Sequence, residues 1–185
     1  MKQKTLILVL GIFLMVLMLG KVAFAEKEPT VGLNVGNVAF SAPITPEDAT
    51  YLGLSGPKDF TLRDIGSPYV LVESFNTTCP HCIAQAPVLN RLHGMVQGDS
   101  QLKGKIKFVS VGQGNDATAA KMWKAFHKVP FPVVPDKDSK LGKAMDFSPY
   151  PVSILVDKSG KVVWAHVGSF ENANEAFTEI KKAVK

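Results

Sequence analysis

Cysteine is nearly missing from this 185-residue chain, which holds only two. One pair allows one bridge and no stapled framework, so the fold must rest on an apolar core. Acidic residues are missing from the first 25 positions, which carry Lys2, Lys4 and Lys21. The formal charge of +5 therefore shrinks to 18 basic against 16 acidic residues in the remainder. A chain so nearly balanced gives no electrostatic case for nucleic acid as a partner. Low-complexity tracts, internal repeats, phosphate loops, nucleophile elbows and dinucleotide fingerprints are absent as well. The one long apolar run, residues 6–19, would span about 21 Å as a helix, against roughly 30 Å of hydrocarbon core.

Lys2 and Lys4, the run 6–19 and then Ala23-Phe24-Ala25 have the three-part shape of a secretory signal peptide cut after Ala25. The alternative is an uncleaved N-terminal anchor, since residues 22–25 lengthen the stretch around Lys21. No cysteine follows the run, which excludes a lipidated anchor. In either case a periplasmic or otherwise extracytoplasmic location is expected, where oxidised cysteines persist.

Residues 26–58 are rich in Gly, Pro, Asn and Thr and weakly periodic, and read as an irregular arm with a short hairpin. From Phe60 the pattern sharpens, and residues 59–185 read as one domain. A strand is predicted over 69–75, then the turn and cap formers Asn76-Thr77-Thr78. Cys79-Pro80 opens a helix with proline in its first turn. Ile83, Ala86, Val88, Leu89, Leu92 and Val96 follow at helical spacing, with Pro87 set to kink the helix. A strand over 106–111, a helix over 116–127 carrying Ala120, Trp123, Ala125 and Phe126, an edge strand over 131–134 and a short helix over 139–145 come next. Strands over 152–156 and 162–167 flank the turn Asp157-Lys158-Ser159-Gly160, and an amphipathic helix closes the chain over 172–184. This order implies an α/β fold: a central mixed sheet with helices on both faces.

Cys79-Pro80-His81-Cys82 is the one strong chemical signal. A structural disulfide across so short a loop stabilises little. A zinc site needs about four ligands and only His81 stands near, so no metal is expected. Haem attachment needs histidine directly after the second cysteine, where this chain has Ile83. A redox dithiol needs one cysteine at a helix start with its partner one turn inside, which this pattern supplies. There the free N–H groups and the helix dipole favour a thiolate, and thiols in such motifs titrate between about 3.5 and 7.5. Cys79 is thus the expected nucleophile and Cys82 the resolving thiol, alternating between dithiol and Cys79–Cys82 disulfide. Pro80 removes one donor, and His81 either adds positive charge beside the sulfur or is a solvated spacer. Stabilising a thiolate to the low end of that range would raise the reduction potential by about 100 mV, enough to reverse the direction of electron flow.

From Phe60 onward the chain resembles the thioredoxin superfamily. The strand, CxxC and helix fit, and Pro87 stands eight residues past Cys79, where thioredoxins place a helix-kinking proline. Glu73 falls where thioredoxins have a buried acid and DsbA-like oxidases a glutamate, which implies proton exchange with the resolving cysteine; a strand position facing solvent is the other reading. Tyr150-Pro151 is similar to the family's cis-proline loop, which pairs with substrate backbone, and Gly168 to a glycine beside the substrate groove. The segments 60–64 and 154–161 resemble the exported TlpA-like branch, which generally reduces extracytoplasmic disulfides, often on apocytochromes. Thr78 stands where that branch carries Trp, and Pro-His between the cysteines is the dipeptide of DsbA-like oxidases. The resemblance implies a thioredoxin fold and a monomeric thiol–disulfide oxidoreductase without cofactor. Its partners would be protein disulfides or dithiols and a membrane-bound redox partner. A peroxiredoxin-like thiol peroxidase would need Thr and Pro where the chain has Asn76 and Val72; a thiol metallochaperone is a further alternative. His93 and His127 read as solvated or capping residues, and His166 as pointing outward.

Overall fold

The computed structural model describes residues 31–41, 45–147 and 149–185. The leader expected at 1–25, and the arm as far as residue 30, lie outside the described residues. Among the described residues no helix is long and apolar enough to cross a membrane.

The first described elements are β1 (Ala39–Phe40), α1 (Pro46–Leu52) and β2 (Phe60–Thr61), followed by a 3-10 turn (Leu62–Asp64). The central elements are β3 (Tyr69–Phe75), α2 (Pro80–Gly98), β4 (Ile106–Gln113), α3 (Ala117–Phe126), β5 (Val133–Asp136) and α4 (Lys140–Met145). The chain ends with β6 (Val152–Asp157), β7 (Val162–Val167) and α5 (Ala173–Ala183). Five strands form one sheet in the order β5-β4-β3-β6-β7. β3, β4 and β5 run parallel, while β6 and β7 pair antiparallel.

Both faces of the sheet are covered, so its strands are near-continuous apolar runs rather than alternating ones. Leu71, Phe75, Phe108 and Leu155 pack under α2, α3 and α5. Val70, Val72, Val109, Ile154 and Val156 pack under α4 and the N-terminal segment. Each such side chain, fully buried, contributes about 1.5–3 kcal/mol.

The N-terminal segment differs from the irregular arm expected. Thr45 caps α1, its Oγ1 accepting from the Asp48 N–H at 3.1 Å, and Pro46 occupies the first turn. Ala49 and Leu52 are buried in the second cluster, and β1 pairs with β2 instead of folding on itself. One turn of apolar residues is too short for a periodic signal, so only its cap marks α1 in the sequence. The segment is also pinned to the β6–β7 turn: a Cβ on Gly160 (φ +85°) would lie 2.4 Å from Gly36 Cα, so neither backbone tolerates a side chain there.

Three further expectations change. β5 begins two residues late, because Phe131 turns inward against Phe108, 5.3 Å away, before the ladder starts. Ala125, Phe126 and Ile83 lie on exposed helix faces rather than in the core. His93 is not solvated; its ring packs edge-on to Phe108 at 5.1 Å, and burial, with Lys107 nearby, pushes its pKa down.

Candidate active site

Residues 76–78 turn the chain from β3 into α2, and their side chains hold one another. Asn76 Oδ1 accepts from both the N–H and the hydroxyl of Thr78, and its Nδ2 donates to the Gln113 carbonyl. Asn115 Oδ1 accepts from the Thr77 N–H, and Asn115 Nδ2 donates to the Thr77 hydroxyl. Cys79, donating its N–H to the Asn76 carbonyl at 3.1 Å, is thereby fixed as the N-cap of α2. Asn76 carries an amide, not the hydroxyl that a peroxidase would need there.

Cys79 Sγ accepts the Cys82 N–H at 3.4 Å, so the helix start reaches the sulfur with a real donor and not only a dipole. Both cysteines are free thiols in this state, the reduced partner of the expected disulfide. Cys79 is more enclosed than expected, at 9% exposure, and Cys82 is buried at 1%. Cys79 is thus the more accessible of the two. Pro80 and His81 between them are exposed. Burial pushes the Cys82 thiol up, and the neighbouring Cys79 and Glu73 push it in the same direction. These influences favour the protonated form of the Cys82 thiol.

Glu73 is inside the protein, excluding the solvent-facing alternative. Burial raises its pKa to about 8, against the opposing pull of the Ser153 hydroxyl, which donates to Oε2, and of Gln85 Nε2, 3.4 Å from Oε1. A cavity of about 10 Å³, room for a single water, is lined by Glu73, Cys82, Ser110 and Asn90 among others. Asn90 Oδ1 is buried without a hydrogen-bond partner among the described residues.

The Tyr150–Pro151 peptide is cis, and the Cys79 thiol lies 3.7 Å from the Tyr150 carbonyl. The Gly168 N–H (φ +88°) donates to the Pro151 carbonyl at 2.9 Å, tying the end of β7 to this loop. An apolar surface lies to one side of the start of α2. Ile83, Met122 and Phe126, the last 82% exposed, line an open groove of about 370 Å³ with Thr77. Among the described residues no group of three or more His, Cys, Asp or Glu could hold a metal ion.

The structure thus brings together Cys79, Cys82, Glu73, Tyr150 and Pro151. His81 stays at the edge, its carbonyl accepting from the Ser169 hydroxyl. Sequence reasoning missed Gln85 and Ser153, although each is a polar residue interrupting an apolar stripe. It also turned His166 outward, whereas its ring is half-buried, 4.5 Å from that of Phe170.

Comparison with known proteins supplies three findings. The Redoxin family model matches residues 39–183. A thiol-disulfide oxidoreductase ResA of Bacillus cereus is 28% identical over 145 residues, 78% of this chain and 75% of that protein. Another ResA, of Halalkalibacterium halodurans, is 25% identical over 122 residues, 65% of this chain and 66% of that one. Among solved structures, StoA from Bacillus subtilis superposes with a TM-score of 0.55 at 18% identity, covering 81% of this chain and 96% of that one. A thiol:disulfide interchange protein from Bacteroides sp. gives 0.60 at 19% identity, covering 83% and 89%. The structural likenesses establish the thioredoxin fold.

Proposed function

The chain belongs to the Redoxin family and is a thiol–disulfide oxidoreductase, and from that premise we propose that it is exported and exchanges disulfides with extracytoplasmic proteins through Cys79 and Cys82. The observation that carries the assignment of roles is the Cys79 sulfur at the cap of α2, receiving the Cys82 N–H beside the cis-proline loop.

In the reducing direction the Cys79 thiolate attacks one sulfur of a substrate disulfide, forming a mixed disulfide and expelling the other sulfur as thiolate. Cys82 then gives its proton to Glu73 and attacks Cys79 Sγ, closing the Cys79–Cys82 disulfide and releasing the second substrate thiolate. Two electrons pass from the dithiol to the substrate. In the oxidising direction the steps reverse, and Glu73 returns the proton to Cys82 as it leaves. A carboxyl with a pKa of about 8 can serve both ways near neutral pH. Direction follows from the potential of the pair: near about −120 mV the protein is an oxidase, near about −270 mV a reductase.

The apolar surface of Ile83, Met122 and Phe126, with Tyr150 on the cis-proline loop, supports approach by a polypeptide rather than by a small polar thiol. Apocytochromes are one substrate class that fits, with a membrane-bound partner resetting the dithiol and the protein acting as a monomer. The basic and apolar pattern of residues 1–25 supports the extracytoplasmic location. Replacement of Cys82 by Ser tests the scheme: it leaves Cys79 able to attack and unable to be released, so a Cys79-linked adduct with substrate protein accumulates. No adduct under either oxidising or reducing challenge would refute the proposal.

A further inference from the structure

Total charge hides how the charges are arranged. At the end of the sheet where β3, β4 and β7 begin, six exposed lysines gather. Lys103 and Lys105 precede β4, Lys158 and Lys161 lie in the β6–β7 turn, and Lys182 and Lys185 stand at the end of α5. Short contacts make these positions one surface. The Tyr69 N–H donates to the Lys105 carbonyl, the Tyr69 hydroxyl accepts the Lys185 N–H, and Tyr69 stands opposite Asp157, where the β6–β7 turn starts. Of the acids beside them, Asp99 pairs with Lys181 at 2.6 Å, and Asp157 accepts the N–H groups of Ser159 and Lys161. Lys158 Nζ donates to the carbonyls of Arg63 and Ile65, which fix the ammonium without cancelling its charge.

The opposite end carries the other sign. The loops after β3, β4, β5 and β7 and the loop before β6 hold Asp116, Asp138, Asp146 and Glu171, with Lys137 as their one lysine. A domain of nearly balanced charge is thus polarised along its strands, positive at the base and negative at the dithiol end.

At the base, Val31, Tyr69, Lys161, Lys182 and Lys185 line a concavity of about 440 Å³. Val31 is 59% exposed among these lysines. Lysine carries an ammonium on a flexible apolar stem, which suits phosphodiester headgroups, and an exposed valine suits the boundary beneath them. The chain also arrives at this end. Eleven residues separate the apolar run 6–19 from residue 31, a reach of at most about 40 Å. The run and the lysines are therefore able to meet the same surface. We propose that the basic end of the sheet docks on an anionic lipid surface, its lysines among the phosphate headgroups and Cys79 at the far end of the strands. Each lysine near such a surface strengthens binding about fivefold, and the attraction fades within a Debye length. The docking holds whichever way disulfide exchange runs.

Lysine footprinting of the full chain tests this. The protein is added to preformed vesicles and acetylated by an amine-reactive ester, and each lysine is followed by mass spectrometry. On phosphatidylglycerol vesicles Lys161, Lys182 and Lys185 should label at least about fivefold more slowly than on phosphatidylcholine vesicles, and about 0.5 M salt should remove the difference. Lys137 and Lys140, at the other end, should label alike on both. Replacing Lys161, Lys182 and Lys185 together by Gln should strip Lys103 and Lys105 of their protection, whereas replacing the three by Arg should keep it. Equal labelling of the base on the two lipids overturns the proposal, whether fast, as for a domain standing clear of the surface, or slow, as for one held down by residues 1–25 alone. Slowing by inorganic phosphate without vesicles would mean a small-anion site. Slowing by polyglutamate but not by vesicles would mean a face for acidic protein. Either result overturns the lipid assignment.

Discussion

Across the middle of the sheet, on the side covered by α4 and the N-terminal segment, Val109, Val72, Ile154 and Ala165 stand in one row. One residue further along each strand, on the side under α2, the row is Ser110, Glu73, Ser153 and His166. At this level of the sheet the same four strands therefore present an apolar row to one layer and a polar line to the other. Burying a polar row under a helix costs free energy that the apolar row does not. The polar line lies beside the buried Cys82, which lines the same small cavity as Glu73 and Ser110. Both sides of the sheet carry a buried apolar cluster, and the dithiol lies on one of them.

Substitutions can break or sharpen that contrast. Replacing Cys79 by Ser should remove disulfide exchange, by more than about a thousandfold in the rate of reaction with a disulfide peptide, with the fold intact by circular dichroism. Replacing Glu73 by Gln should change how stability depends on pH. The folded-state pKa of about 8 lies above the ordinary carboxyl value of 4.5, so the folded protein holds this proton where the unfolded chain has lost it. The contribution is fully present below pH 4.5 and is lost as pH rises through 8, a change of about 5 kcal/mol across that window. Urea unfolding at several pH values should show the native slope and a flatter one for Glu73→Gln; equal slopes would mean the carboxyl titrates normally. The same variant should lose the rise in resolving rate as pH passes about 8.

Truncating the apolar row should do the opposite. Ile154→Ala should cost about 3 kcal/mol in urea unfolding while leaving the reduction potential of the dithiol unchanged. A shift of about 30 mV or more, tenfold in the exchange equilibrium, would show that the two layers are coupled after all. The smallest effect belongs to the N-terminal segment, where Thr45→Ala should cost about 1 kcal/mol through the lost cap of α1.

The contrast between the layers also explains what could be read from the sequence. The dithiol, its helix start and the turn at Gly160 are written in adjacent residues, where cap and turn chemistry act over a few positions. The roles given to Glu73, Tyr150 and Pro151 came from resemblance, and the buried carboxyl and the cis peptide agree with the geometry it implied. Ser153, Gln85 and His166 acquire meaning only from strand register and helix packing, which bring residues 80 positions apart into contact. Phe126 failed for a related reason: helical spacing places it beside Trp123, but the groove it lines remains open to solvent. His93 failed in the other direction, because the aromatic residues that enclose it come from three separate segments.

Where the chain enters the described fold has a bearing on its orientation. The Gly32 N–H bonds the Val162 carbonyl, and Asn34 bridges to Lys161, so residue 31 sits by the turn that joins β6 to β7. Tyr69 and Asp157 face each other at that same end of the sheet, whereas Cys79 follows the far end of β3, roughly 20 Å away along the strand. Residue 31, where the described chain begins, and the Cys79 sulfur therefore lie at opposite ends of the sheet.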